Sequence, residues 1–384
     1  MRHRVAWIGW PLALAAAIAA SAPAVSAASR GGAQVTPLSI RVLLLEGAPS
    51  VSIRPADSPT ATTFQAHQGA LQRPDGSLVP HLLFPAPGPH EIDGTVYRGA
   101  LEIQAGESGL RVVNEVDLET YVAGTLLAEV YEGWGPVVLR AQAVATRTYA
   151  LYRLERARDP FFHVRSGPVD QAYAGVRVES PAAWEAVRAT HGEYLAWGGE
   201  PILAAYHAAS GGRTASSHEV WGRPLPYLVS APVEGEHESP DTYWRVPFTG
   251  DQIGDALARA GWPIGSVTEL RVLDRSLSGR VRKVRARGRR SSATLTARQL
   301  RSALDADRLK STLFEIRAER GGYVFVGSGR GHGVGMSQWG ARAMADRGAD
   351  YREILFRFYP GATVRHLVEV VPASLTGPSM GGAR

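Results

Sequence analysis

Glycine occupies every second position from Gly327 to Gly335. In an extended chain this spacing removes every side chain from one face, so another backbone or a flat ligand can lie against it. The segment is not a dinucleotide-binding loop, because Val334 stands where a third glycine is needed, and no Gly-Lys-Ser/Thr sequence makes it a phosphate-binding loop. We therefore expect close packing of the backbone here, beside a binding site.

An acid lies on the apolar side of a predicted helix. Asp117 is a preferred N-cap residue, and the segment after it has helical periodicity. At about 100° per residue, Leu118 and Leu126 share one stripe with Glu129. A carboxylate at a core position is costly to ionise, so we expect the pKa of Glu129 to be raised, as a general acid requires.

A second predicted helix opens at Pro136, which suits a first helical turn, and runs to about Arg156. The alternative for Glu129 is a structural role. Its carboxylate would then form an ordinary ion pair with Arg140 or Arg147 of this second helix, or reach solvent.

The N-terminus has the pattern of an export signal. Arg2 and Arg4 precede an apolar stretch, and small residues lead to Ala27, after which we expect cleavage of residues 1–27. The apolar run is short for a transmembrane helix of ~20 residues, and an uncleaved anchor is the alternative. No other stretch predicts a membrane span, so we expect an exported protein of the periplasm or cell wall. The absence of cysteine excludes disulfides and thiolate metal sites.

The formal net charge of +6 is mildly basic. Bases are dense from Gly279 to Arg290, where some alternate with apolar residues. This pattern predicts an edge strand and turn with a charged, exposed face. No aromatic residue interleaves with the bases, so we expect no nucleic-acid partner.

The predicted fold class is α+β, with a curved, mostly antiparallel sheet and packed helices. We expect one main domain over residues 28–372, with short strands separated by Pro and Gly in residues 37–113. Residues 233–325 are predicted to form an inserted, smaller α+β subdomain. Residues 373–384 are predicted to be a flexible tail.

Two further segments carry polar residues. A Ser-Gly-Gly turn follows a predicted strand and places His207 near Ser210. His207, His218 and Glu219 do not have the spacing of a closed zinc motif, so we expect no metal site, and Ser210 lacks the sequence of a nucleophile elbow. Downstream, Ser337 is predicted to cap a helix.

Three ordered blocks carry a resemblance to a known family. They are Leu127–Val130 with Trp134 and Leu139–Tyr149, then Asp170–Gly175 with Tyr206–Thr214 and Val220–Gly222, then Gly331–Ala341 with Phe358–Gly361. Together they resemble the sporulation stage II protein D family, which also includes the amidase-enhancer (LytB) proteins. The resemblance runs from about residue 40 to residue 368.

The resemblance implies a lytic transglycosylase of peptidoglycan that acts on glycan strands stripped of stem peptides. It implies that Glu129 is the catalytic acid. We expect no cofactor. The enhancer branch of the family implies the alternative, a non-catalytic protein that binds glycan and stimulates a cell-wall amidase partner.

The resemblance also implies that polar residues inside the blocks surround the sugar. They are Gln142, Arg147, Tyr149, His207, Ser210, His332, Ser337 and Gln338. A structural hydrogen-bonding role is an equal alternative for each. We expect the blocks to converge on one cleft, with Glu129 near His207 and Gly331. Some family members hold a metal through cysteines in the Ser-Gly-Gly segment, and this chain has none there.

Overall fold

The computed structural model describes residues 38–55, 58–86 and 88–367. The predicted export signal and the predicted tail lie outside these residues, as do both ends of the predicted main domain. Within the described ranges, no helix combines the length and the apolar character that crossing a membrane requires. Helices and mostly antiparallel strands occur together along the chain, which confirms the α+β class.

The first part of the described chain consists of strands. They are β1 (Ser39–Ala48), β2 (Ser50–Arg54), β3 (Thr62–His67), β4 (Ala70–Gln72), β5 (Leu78–Val79), β6 (His81–Phe84), β7 (His90–Ile92), β8 (Thr95–Tyr97), β9 (Ala100–Gly106) and β10 (Gly109–Asp117). With β11 (Val164–Arg165), they form sheets in the orders β11-β1-β10-β9-β6 and β5-β4-β3-β2-β7-β8. Alternate residues, such as Ile53 and Ile103, are buried in a shared core.

A helical layer follows and carries Glu129. Asp117 caps its first helix by accepting the N–H of Thr120 at 3.0 Å, as predicted, and Pro136 lies in the first turn of its second helix. The second helix is buried along most of its length because small alanine side chains let its neighbours approach. The elements are α1 (Leu118–Glu129), α2 (Gly135–Glu155), α3 (Pro181–Ala189), β12 (Glu193–Trp197) and β13 (Glu200–Pro201).

The middle of the chain contains a unit with its own core. After β14 (Tyr206–His207) and α4 (Ser217–Trp221) come β15 (Trp244–Phe248), α5 (Gly250–Arg259), β16 (Val267–Arg275), β17 (Val281–Gly288), β18 (Ser292–Thr296), α6 (Ala297–Leu304), β19 (Phe314–Glu319) and β20 (Gly322–Gly327). The elements from β15 to β20 bury one cluster that includes Leu257 and Phe325. They overlap the predicted insert at 233–325, whose boundaries stay a prediction.

The basic strand β17 lies in the middle of its sheet, between β16 and β18. The expectation of an edge strand was therefore wrong. The expected charged face is present, because Arg285 and Arg287 are exposed while Val284 and Ala286 are buried. Alternation of charged and apolar residues shows that one face meets solvent, but it does not show how many strands lie alongside.

The last elements bring distant segments together. They are β21 (Met336–Ser337), α7 (Gln338–Asp346), α8 (Tyr351–Phe358) and β22 (Thr363–His366). Ser337 caps α7 as predicted, with its Oγ accepting the N–H of Gly340 at 3.2 Å. β21 pairs in parallel with β14, and β22 pairs with β12. These pairings fix the end of the chain against the helical layer.

The glycine-rich segment is not an extended strand. Four of its glycines have φ angles between 72° and 101°: Gly329, Gly331, Gly333 and Gly335. Side chains disfavour this conformation, which explains the repeated glycine. The expected close packing is present, since a Cβ on Gly335 would lie 1.9 Å from the carbonyl oxygen of Ala205.

We expect Gly335→Ala to lower the free energy of unfolding by about 3 kcal/mol or more, because left-handed strain adds to a clash with backbone. The control is Gly348→Ala, where φ is +92° but no protein atom lies within 4 Å of the added Cβ. The control should lose only about 1–2 kcal/mol. Urea denaturation followed by fluorescence measures both, and equal losses would contradict the close approach at Gly335.

Candidate active site

Glu129 is the last residue of α1 and is half-buried. Its Oε1 accepts the backbone N–H of Ala172 at 2.7 Å. The hydroxyl of Tyr206 and the side-chain amide of Gln338 also face the carboxylate and favour its charged form. The three donors come from three separate parts of the chain, and all of them are uncharged.

No arginine in residues 38–55, 58–86 or 88–367 forms an ion pair with Glu129. Arg147 donates both Nε and Nη2 to the carboxylate of Glu119, at 2.8 and 2.5 Å. The nearest carboxylate oxygen to Arg140 belongs to Glu185, at 3.8 Å. The ion-pair alternative for Glu129 is therefore absent from the described part of the chain.

Burial raises the pKa of the Glu129 carboxyl above its ordinary value, as expected from the sequence. Desolvation disfavours the charged form, and the three donors favour it less strongly. Because no cation offsets the burial, the group keeps its proton to higher pH than an exposed glutamate does. That property suits a general acid.

The hydroxyl of Tyr206 is oriented by its other partners. The side-chain amide of Gln171 donates to this hydroxyl at 3.0 Å, and Gln171 in turn accepts the hydroxyl proton of Tyr121 at 2.9 Å. The Tyr206 oxygen therefore already accepts a hydrogen bond, and its own proton is free to point at Glu129.

Gln338 is held in a similar way. Its Nε2 donates to Oε1 of Gln142 at 3.4 Å, and Nε2 of Gln142 donates to the hydroxyl of Thr146 at 3.2 Å. Both glutamines are buried. Of the predicted sugar-binding residues, Gln338 thus faces the acid and Gln142 supports it from α2.

A second buried carboxylate, Glu236, ties together two predicted site residues. It accepts the N–H of Ser210 at 2.7 Å, the hydroxyl of Ser210 at 2.6 Å and the N–H of Gly212 at 2.9 Å. The hydroxyl of Ser337 also donates to it. Glu236 therefore joins the Ser-Gly-Gly turn to the beginning of α7, where Gln338 is the first residue.

His207 and His332 form a separate polar group with Arg280. Their ring centroids are 5.6 Å apart, and Nδ1 of His207 lies 3.1 Å from the carbonyl oxygen of Val334. Burial lowers the pKa of both rings, that of His332 to about 4. Arg280 donates to backbone carbonyls of the Ser-Gly-Gly segment at 2.7 and 3.0 Å.

β14 separates this histidine group from the acid. Neighbouring residues of a strand point to opposite faces, so Tyr206 is directed at Glu129 while His207 is directed at His332. Tyr206 of the second block and Gln338 of the third block face Glu129, whereas a single cleft that also includes His207 and Gly331 stays a prediction. The role of both histidines in sugar binding stays a prediction.

Arg147 and Tyr149 form their hydrogen bonds with acids other than Glu129. Arg147 is fully buried, and Tyr149 donates its hydroxyl proton to Asp170 at 2.6 Å. The roles of Arg147, Tyr149, Ser210 and Ser337 in sugar binding also stay predictions. Within the described residues, no group of three His, Cys, Asp or Glu side chains is placed to hold a metal ion.

Tyr206, Gln171 and Glu236 were not singled out from the sequence. The first two lie inside the second block, and the alternation of a strand indicates that either Tyr206 or His207 faces the acid. Glu236 had no such signal, because it stands between the blocks and acts through residues distant in the chain.

We expect Glu236→Gln to lower the free energy of unfolding by about 2–4 kcal/mol. In the variant, the NH2 group of the side chain replaces one carboxylate oxygen, so the donors on that side would lack an acceptor. The control is Glu238→Gln, an exposed acid whose nearest arginine is 3.9 Å away. The control should change stability by less than about 0.5 kcal/mol. Denaturant unfolding compares the two, and unchanged stability of Glu236→Gln would remove its linking role.

Two family models match the chain. One, described as "Stage II sporulation protein", matches residues 106–197, which contain α1, α2 and Glu129. The other is described as a domain of unknown function and matches residues 225–335. The second match contains β15 to β20 and the glycine-rich segment.

Several relatives match over much longer stretches. An uncharacterized protein of Brachyspira hyodysenteriae is 30% identical over 274 residues, 71% of this chain and 73% of the relative. Stage II sporulation protein D of Bacillus amyloliquefaciens is 27% identical over 78% of this chain and 89% of its own length. The amidase enhancer of Bacillus subtilis is 27% identical over 63% of this chain and 40% of its own length. The chain belongs to the stage II sporulation protein D family.

Proposed function

We propose that the protein is a lytic transglycosylase that cleaves peptidoglycan glycan strands, with Glu129 as acid and then base. The observation that carries the proposal is a half-buried carboxyl with a raised pKa, which faces three uncharged donors and has no cationic partner among the residues that the structure describes. We expect strands stripped of stem peptides to be the substrate, as the family resemblance implies.

One carboxyl is enough for this reaction. Protonated Glu129 gives its proton to the glycosidic oxygen as the bond from that oxygen to C1 of muramic acid breaks. The carboxylate then takes the proton of the muramic acid 6-hydroxyl, whose oxygen bonds to C1. The products are a free 4-hydroxyl end and a 1,6-anhydro end, and Glu129 regains its proton without consuming water.

The surrounding residues support a single-carboxyl mechanism. A hydrolase that activates water uses two carboxyl groups across the bond. Asp170 is engaged by the hydroxyl of Tyr149 and the N–H of Arg165, and Glu119 is engaged by Arg147. Among the described residues, no second carboxylate is hydrogen-bonded to the partners that hold Glu129.

Export belongs to the same proposal. Residues 1–27 have the sequence pattern of a cleaved signal, and peptidoglycan lies outside the cytoplasmic membrane. The periplasm or cell wall is the location in which substrate and protein meet.

The second candidate function is stimulation of a cell-wall amidase through glycan binding. It is favoured by the similarity to a protein named amidase enhancer, of which this chain spans 40%. In this alternative, the residues around Glu129 hold a strand without breaking it.

We expect Glu129→Gln to lower the yield of 1,6-anhydromuramic ends by about 10²-fold or more, because the amide cannot transfer the proton. Mass spectrometry of soluble products from stripped strands and from intact sacculi measures this. The control is Glu185→Gln, an exposed acid that lies 3.8 Å from Arg140 and should leave the yield unchanged. Full activity of Glu129→Gln would exclude Glu129 as the acid.

A lack of products from the unaltered protein, together with retained binding of stripped strands, would favour the enhancer alternative. The next measurement would then be the rate of a purified cell-wall amidase on sacculi with and without the protein.

The pH dependence gives an independent test. Because the acid form of Glu129 is required, kcat/KM should fall as the pH rises through its raised pKa. Tyr206→Phe removes a donor that favours the charged carboxylate, so the pKa should rise further and the descending limb should move to higher pH. The control is Tyr351→Phe, whose hydroxyl donates to Glu193 instead. A limb that moves to lower pH in Tyr206→Phe would contradict the assignment.

A further inference from the structure

Three aromatic rings form a continuous row next to Glu129. The ring centroids of Tyr131 and Trp134 are 5.3 Å apart, and those of Trp134 and Trp339 are 4.8 Å apart. Both pairs meet edge to face, with interplanar angles of 61° and 62°. The three rings support one another in a geometry that aromatic pairs favour.

Both ends of the row are connected to the acid. Tyr131 follows Glu129 closely in the chain, just beyond the end of α1. Trp339 follows Gln338, whose side chain faces the Glu129 carboxylate. The backbone N–H of Trp339 donates to the carbonyl oxygen of Ala208 at 3.0 Å, which fixes the ring near the site. Both ends of the row therefore belong to segments that also carry Glu129 or Gln338.

The three rings are accessible to solvent in the part of the chain that the structure describes. Tyr131 exposes 66% of its surface, and Trp134 and Trp339 are partly exposed. A Cβ added to Gly133, between the first two rings, would meet no protein atom within 4 Å. A group of exposed aromatic side chains beside a polar site is typical of a ligand-binding surface.

The surroundings of the row select an uncharged ligand. Carboxyl groups of Glu129 and Glu132 belong to the same short stretch of chain as Tyr131 and Trp134. Among the described cation–π contacts, none involves any of the three rings. An anionic ligand would be repelled by these two acids, whereas a neutral sugar can place its apolar C–H face on the rings.

We propose that Tyr131, Trp134 and Trp339 form a stacking platform for the N-acetylglucosamine ring adjacent to the muramic acid whose bond is broken. The identity of the strand rests on the proposed function. In a stripped strand, muramic acid carries a free carboxylate and N-acetylglucosamine does not. The platform therefore sets the register of the strand, with the neutral sugar on the rings and muramic acid at Glu129.

The test uses chitotetraose, an oligomer of N-acetylglucosamine, and the Glu129→Gln protein, so that binding is measured without turnover. We expect a saturable change in tryptophan fluorescence. Tyr131→Ala and Trp339→Leu, each added to that background, should weaken binding about 3- to 10-fold. The control is Tyr243→Ala, which removes a ring with a similar exposure of 64% outside the row and should leave the affinity unchanged.

The proposed platform would be overturned if the Glu129→Gln protein and its Tyr131→Ala, Trp339→Leu and Tyr243→Ala variants all bound chitotetraose with equal affinity. The assignment of the neutral ring would also fail if stripped strands bound while chitotetraose did not. Tyr131 is exposed enough that its replacement leaves the fold intact, so a folding defect in the Trp339 variant does not decide the outcome.

The two proposals can fail separately. Chitotetraose binding that depends on Tyr131 and Trp339 supports the platform even if the unaltered protein makes no anhydro ends, in which case the proposed reaction fails and the platform stands. If the reaction does occur, both ring variants should raise KM on stripped strands more than they lower kcat, and the pH at which kcat/KM declines should stay the same.

Discussion

The parallel pairing of β14 with β21 is the contact on which the Glu129 site depends. It sets Tyr206 beside Met336 in the sheet, and α7 begins directly after β21. The missing side chain of Gly335 allows the two segments to approach this closely. Because of this single pairing, the hydroxyl of Tyr206 and the amide of Gln338 reach the same carboxylate at the end of α1. The proposed chemistry therefore depends on long-range backbone packing.

The two buried carboxylates of this region illustrate different uses of an acid. Glu236 is occupied by Ser210, Gly212 and Ser337, so its oxygens are satisfied by the protein and its role is to join segments. Glu129 has uncharged partners and stays half-buried, which leaves it able to meet a ligand. A cation beside Glu129 would favour the charged form, so the carboxyl would hold its proton less well before the reaction and take it back less readily afterwards.

Local signals in the sequence predicted the local structure well. Capping at Asp117 and helical periodicity placed Glu129 at the end of a helix, because both depend on neighbouring residues alone. The raised pKa was expected from its place on the apolar side of that helix, and the burial that causes it comes from tertiary packing. Strand alternation left open whether Tyr206 or His207 faces the acid, since that choice depends on the tertiary pairing. The number of neighbours of β17 and the role of Glu236 were also decided by contacts between distant segments, for which a single sequence carries no signal.

The uncharged partners of Glu129 have a consequence for the medium in which the protein acts. Attraction between exposed ions is screened by salt, over about 8 Å at physiological ionic strength. The effects of desolvation and of the donors on Ala172, Tyr206 and Gln338 are not weakened in this way. The pKa of Glu129 should therefore depend little on ionic strength. A protein that works outside the cytoplasm, as proposed here, is exposed to widely different salt concentrations. Its proposed catalytic acid should hold its proton to the same extent in all of them.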